Sequence, residues 1–110
     1  MARPIIFLAF ANNNTDPFLQ LTREDDGIYE LFQHGNEGGY IIHRDQYTSA
    51  DELIYFIELF KNQVSIFHFG GHAGKDILSM EDQSIRATGF AGLLGGQKYL
   101  RLVFLNGCST

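Results

Sequence analysis

Apolar and polar positions along this chain fall into alternating blocks. Pro4-Ile5-Ile6-Phe7-Leu8-Ala9-Phe10-Ala11 is a continuous apolar run. It is too short for a buried helix and rich in β-formers, so it predicts a parallel strand buried on both faces. A polar loop, Asn12 to Pro17, follows. A helix is then predicted with Thr22 as its N-cap. Glu24, Asp25 and Asp26 would fill its first turn, where the helix dipole favours carboxylates. Ile28, Leu31 and Phe32 supply its apolar face, and His34-Gly35 its end. Tyr40-Ile41-Ile42-His43 predicts a second strand.

Ser49-Ala50-Asp51-Glu52 is a capping box that opens the next helix. Asp51, Tyr55, Glu58 and Asn62 lie on its polar side, and Leu53, Ile54, Phe56, Ile57 and Phe60 cover the other. Val64-Ser65-Ile66-Phe67-His68-Phe69 predicts a third strand closed by Gly70-Gly71. Ile77 to Glu81 is a short extended excursion, and Thr88 to Leu94 a short helix weakened by Gly89 and Gly92. Leu100 to Leu105 predicts a fourth strand ending in Asn106-Gly107-Cys108. Strands alternating with helices imply right-handed crossovers and an α/β fold, a parallel sheet with helices on its faces. In such sheets the working residues sit beyond the carboxyl ends of the strands. Two loops are expected there, Gly70 to Gly74 and Asn106 to Thr110.

Composition narrows the function classes. A length of 110 residues allows a single domain, 1–110. Eight basic and 13 acidic residues give a net charge of −5, and the basic residues form no run, so nucleic acid is not expected as a partner. A hydrophobic content of 45% excludes intrinsic disorder. One cysteine precludes an internal disulfide and fits a reducing compartment. No apolar run approaches the ~18 residues of a membrane span, so a cytoplasmic location without membrane association is expected.

His72 and Cys108 are the residue types that bring chemistry to the two loops. Each follows a glycine at the end of an apolar strand, where the backbone can turn sharply or approach a ligand closely. If the two strands are neighbours their ends lie about 5 Å apart, or about 10 Å with one strand between. An imidazole near a thiol favours the thiolate nucleophile and later protonates the leaving amine. Backbone amides at Ala73 and Cys108 would hold the oxyanion. The plainer alternatives are a buried cysteine acting as a small hydrophobe and a loop histidine with local hydrogen bonds. His68 and His72 lie four apart, roughly 13 Å along a strand, too far for one ion unless the chain bends at Gly70-Gly71. No metal site is expected, and His68 reads as a structural residue.

Ile66-Phe67-His68-Phe69-Gly70-Gly71-His72-Ala73-Gly74 resembles the histidine motif of CHAT-domain proteins, a caspase-like group of cysteine peptidases. Leu102-Val103-Phe104-Leu105-Asn106-Gly107-Cys108-Ser109-Thr110 resembles their cysteine motif. The resemblance implies a caspase-like three-layer sandwich, a parallel sheet with helices on both faces. It implies an endopeptidase in which His72 is the general base and Cys108 the nucleophile. Ala73, Gly71, Gly107 and Asn106 would support the oxyanion site and the turns around it. No cofactor is implied, and the substrate would be a protein or peptide. Two positions depart from the pattern. Ala73 stands where the group often has glycine, and the His–Cys spacing of 36 is shorter than the ~50 of caspases.

The chain stops two residues after Cys108, whereas caspase-like domains continue into further strands and helices. The expectation is an N-terminal part of such a domain, truncated after the fourth strand and lacking its C-terminal half. Its partners would then include the rest of its own domain or other domains beyond residue 110. A non-catalytic caspase-like interaction module is the alternative, binding through the exposed edge near Cys108.

Overall fold

Every one of the six residues of β1 (Ile5–Phe10) is buried, as its unbroken apolar run predicts. The structure is a computed structural model that describes residues 3–13, 15–35, 39–74, 77–80 and 83–108. After β1 come α1 (Leu19–Gly35), β2 (Ile41–Asp45), α2 (Ala50–Leu59), β3 (Val64–Gly74), β4 (Ile77–Ser79), β5 (Ser84–Arg86), α3 (Ala87–Leu94) and β6 (Leu102–Cys108). β1 pairs in parallel with β2 and β3, and β3 pairs in parallel with β6. The parallel sheet therefore runs β2-β1-β3-β6. Antiparallel β4 and β5 extend it beyond the end of β1. His72 is registered with both Ser79 of β4 and Cys108 of β6, so these strands flank β3 on opposite sides.

Helices pack on both faces. On one face Ile6, Leu8 and Phe10 meet Leu21, Ile28 and Phe32 of α1. On the other, Phe7, Phe67 and Phe69 meet Leu53 and Ile57 of α2 and Phe90 and Leu94 of α3. The rings of Phe7 and Phe67 meet edge-to-face at 5.5 Å, and Phe67 lies 5.2 Å from Phe90. The α2 N-terminus follows the capping expectation, with the Glu52 amide donating to Ser49 Oγ at 3.1 Å. Gln97 is buried for a structural reason: its Nε2 donates to the Ile57 carbonyl at 2.8 Å and its Oε1 accepts from the Val64 amide, joining the end of α2 to the start of β3. Among the described residues no helix is long and apolar enough to cross a membrane.

Two expectations need correction. α1 begins at Leu19, so Thr22 lies inside its first turn, its amide donating to the Phe18 carbonyl at 3.0 Å. The cap comes from further back in the chain. Buried Asn12 accepts the Phe18 amide at 2.9 Å through Oδ1 and donates through Nδ2 to Thr22 Oγ1 at 3.0 Å. The acidic residues consequently sit beyond the first turn, and Arg44 of β2 accounts for two of them. Its Nε donates to Asp25 Oδ1 at 2.7 Å and its Nη2 to Asp26 Oδ1 at 2.6 Å, while its guanidinium lies 4.4 Å from the centre of the Tyr29 ring.

The second correction concerns the predicted loops. β3 does not stop at Gly70-Gly71 but continues to Gly74, and β6 reaches Cys108. β6 and β4 supply ladder partners where β1 runs out. The glycines serve close approach rather than chain reversal. A Cβ on Gly70 would stand 2.8 Å from Phe10 Cδ1, and one on Gly71 3.0 Å from Ala11 Cβ. β6 is an apolar edge: Leu102, Val103, Phe104 and Leu105 are 51, 40, 52 and 47% exposed.

The packing predicts an asymmetry along the core. Phe67→Ala, at a fully buried position, lowers unfolding free energy by about 3–5 kcal/mol. Leu59→Ala, at an exposed position of α2, changes it by about 0.5 kcal/mol or less, both read from urea denaturation.

Candidate active site

The β3–β6 ladder sets the site in rows. Along one face of the sheet the registered pairs are His68 with Phe104, Gly70 with Asn106, and His72 with Cys108. Gly71 pairs with Gly107 on the opposite face, and Ala73 pairs with Leu78 of β4. His72 and Cys108 thus occupy directly opposed positions of neighbouring parallel strands, about 4.8 Å apart in the hydrogen-bonding direction. This is the nearer of the two separations the sequence allowed. Both residues lie on strands and not on loop tips, because the ladder continues through the glycines. Ser109 and Thr110, the end of the cysteine motif, lie outside the described residues.

The first row is a packed stack. The His68 ring lies parallel to that of Phe104 at 5.1 Å and 5.4 Å from that of Phe10. Its Nε2 is buried and has no hydrogen-bond partner among the described residues. Glu24 Oε1 lies 3.6 Å from it, a distance at which charge acts but a hydrogen bond is not formed. Burial holds the His68 pKa below its ordinary value, against the pull of Glu24 and Asp25. His68 is the structural histidine expected. Because β3 stays extended through Gly70-Gly71, His68 and His72 remain two rows apart, roughly 13 Å, and do not converge on one ion.

Over the second row lies Glu24 of α1, which the sequence marks only as a first-turn acid of that helix. Asn106 Nδ2 donates to Glu24 Oε1, tying the end of β6 to α1. Glu24 Oε2 lies 3.2 Å from where a Cβ on Gly70 would stand, so the carboxylate occupies the space over the Gly70–Asn106 pair. A signal was present in the chain. Leu21, Ile28 and Phe32 define the stripe of α1 that faces the sheet, and Glu24 and Asp25 fall on it. Charged residues on an apolar stripe require partners. Asp25 finds Arg44; burial pushes its carboxyl up, against the opposing pull of that guanidinium.

A second histidine, half-buried, lies across the sheet. His43 of β2 sits among Phe7, Phe56 and Phe60, with ring centres 5.1, 4.4 and 4.9 Å away. Its Nε2 also lacks a partner among the described residues, and burial lowers its pKa. No protein-family model matches the chain, and no curated protein matches it.

The two imidazoles, each with its Nε2 withdrawn from water, predict an acid-sensitive fold. Each binds its proton less readily in the folded chain than in the unfolded chain. The stability they provide is therefore full above the unfolded value near 6.5 and is lost as pH falls below it. The limiting slope is about 1.4 kcal/mol per pH unit for each group. The urea midpoint is expected to be lower at pH 5.5 than at pH 7.5, and His43→Phe should raise it more at pH 5.5 than at pH 7.5.

Proposed function

We propose that this chain carries the His–Cys dyad of a CHAT-type, caspase-like cysteine endopeptidase. The observation that supports it is the direct register of His72 with Cys108 at the carboxyl end of the parallel sheet. Two motifs 36 residues apart in the chain would be hard to bring to one row of one face by composition alone. In this reading the His72 imidazole takes the proton of the Cys108 thiol. The thiolate attacks the peptide carbonyl carbon, and backbone amides at Ala73 and Cys108 receive the oxyanion. The His72 imidazolium then gives its proton to the departing amine, leaving an acyl thioester. Water, deprotonated by His72, hydrolyses the thioester and restores the thiol. The substrate is a protein or peptide, and the chemistry needs no cofactor.

The exposed apolar edge of β6 suits the same reading, as a surface along which a further strand can pair. That edge also favours a second reading, a non-catalytic interaction module that retains the dyad and binds a partner along β6.

Alkylation of Cys108 in the full chain separates the readings. The peptidase predicts reaction with iodoacetamide at pH 6 about tenfold or more faster than a free thiol of pKa ~8.5, with His72→Ala removing the excess. A rate equal to that of the free thiol, unchanged by His72→Ala, overturns the peptidase. Partner binding at unchanged affinity by Cys108→Ala, with no cleavage by the wild type, supports the module.

A further inference from the structure

Among the described residues the parallel part of the sheet has two free edges, β2 and β6, and they are built differently. β2 is five residues long and ends in His43, Arg44 and Asp45, with Arg44 tied to Asp25 and Asp26 of α1. Charges on an edge strand discourage another chain from pairing with it. β6 has no such guard. From Leu102 to Cys108 it holds no charged residue and no proline, and its register with β3 runs without a bulge. It is also open on both faces. Leu102 and Phe104 lie on the α1 face, Val103 and Leu105 on the other, and all four are exposed. Val103 and Leu105 floor an open groove against Ala87, Ala91 and Leu94 of α3.

The charge of the chain is kept away from this segment. All 13 acidic residues precede Gln97, and the stretch from there to Thr110 holds only the basic Lys98 and Arg101. Two copies of net charge −5 therefore meet with least repulsion along β6. In an antiparallel pairing the Arg101 end of each strand comes beside the Asn106 end of the other, where Glu24 lies. Area points the same way. At exposures of 40–52%, Leu102 to Leu105 present roughly 400 Å² of side chain per copy, taking about 200 Å² for a whole large side chain. With the strand backbone and Tyr99, 60% exposed just before it, two copies would bury on the order of 1,000 Å². That is the low end of specific interfaces and suits a micromolar dimer.

We propose that β6 pairs antiparallel with β6 of a second copy of this chain, about a two-fold axis at Phe104, joining the two sheets into one. The inference names the further strand that the readings above leave open along β6, and it does not depend on the chemistry of the dyad. The axis must stand perpendicular to the sheet so that each face stays on its own side, and it must then pass through a residue and not between two. At Phe104 it sets Val103 opposite Leu105 of the second copy and Leu105 opposite its Val103. The same axis keeps the two Arg101 positions six residues apart, roughly 20 Å, beyond the Debye length of about 8 Å. A two-fold pairing also uses both free β6 edges at once and so closes, whereas a head-to-tail contact of β6 with β2 would propagate and would meet the charged edge.

The test is sedimentation of the full chain over a concentration series through the micromolar range, with amide hydrogen exchange at its two ends. A monomer–dimer equilibrium is expected. Exchange within Leu102–Asn106 should slow at high concentration, while Ile41–Asp45 of β2 stays unchanged. Val103→Lys, which sets a charge on the groove side of the edge, is expected to weaken the dimer about tenfold or more. Tyr55→Lys, at an exposed position of α2, should leave it as it was. If circular dichroism shows Val103→Lys unfolded, the exchange pattern of the unaltered chain decides. A monomer throughout overturns the proposal and gives the edge to a different partner. A dimer protected elsewhere than β6, a folded Val103→Lys that dimerises as before, or growth beyond the dimer overturns it too. The peptidase reading stands or falls separately, on the alkylation of Cys108.

Discussion

The register between β3 and β6 is the constraint on which the candidate site depends. Seven pairs, from Ile66 with Leu102 to His72 with Cys108, carry it. A slip of one residue would set Cys108 opposite Gly71 or Ala73 and move it to the other face of the sheet. The row of His72 and Cys108 does not hold this alignment by itself. It is held further down the ladder, where the Arg101 amide donates to the Ser65 carbonyl at 2.8 Å and Phe104 stacks on His68. Asn106, bonded to Glu24, holds it from the α1 side. The ladder, the aromatic stack and the hydrogen bonds of Arg101 and Asn106 thus set which positions of β3 and β6 are registered.

β3 is the strand through which every part of the fold communicates. β1 lies on one side and β6 on the other, and β4 takes over from β1 past Gly70. Glycines at 70 and 71 let it remain straight while Phe10 and Ala11 close against it. The cost of this density is two imidazoles walled in by aromatic rings, His68 under α1 and His43 against α2. Burial lowers the pKa of both.

Much of this architecture is legible in the chain because it is written locally. Apolar-rich runs mark β1, β3 and β6, and Ser49 with Glu52 marks the start of α2. What escapes is set by partners distant in sequence. Gly70-Gly71 carries the local signature of a strand end, yet β6 and β4 override it. Thr22 looks like a cap, but the capping oxygen belongs to Asn12, on the far side of a polar loop. His72 and Cys108 stand out by type and setting. That their strands are neighbours is a property of sheet order, which no local spacing encodes. Glu24 is visible only as an anomaly on an apolar stripe, and its meaning appears once Asn106 and Gly70 are placed beside it.

The strand that carries Cys108 has a ladder on one side only among the described residues, whereas its partner β3 is clamped from both. Edge segments fray at a fraction of the free energy needed to melt a central strand. Peeling Leu102–Cys108 away would undo the register of His72 with Cys108 while β1, β3 and the helices kept their native packing. The alignment of this row is therefore less durable than the scaffold. A neighbouring strand laid along β6 would act on that alignment without replacing any pair of the β3–β6 ladder, by lengthening the time the two strands spend side by side.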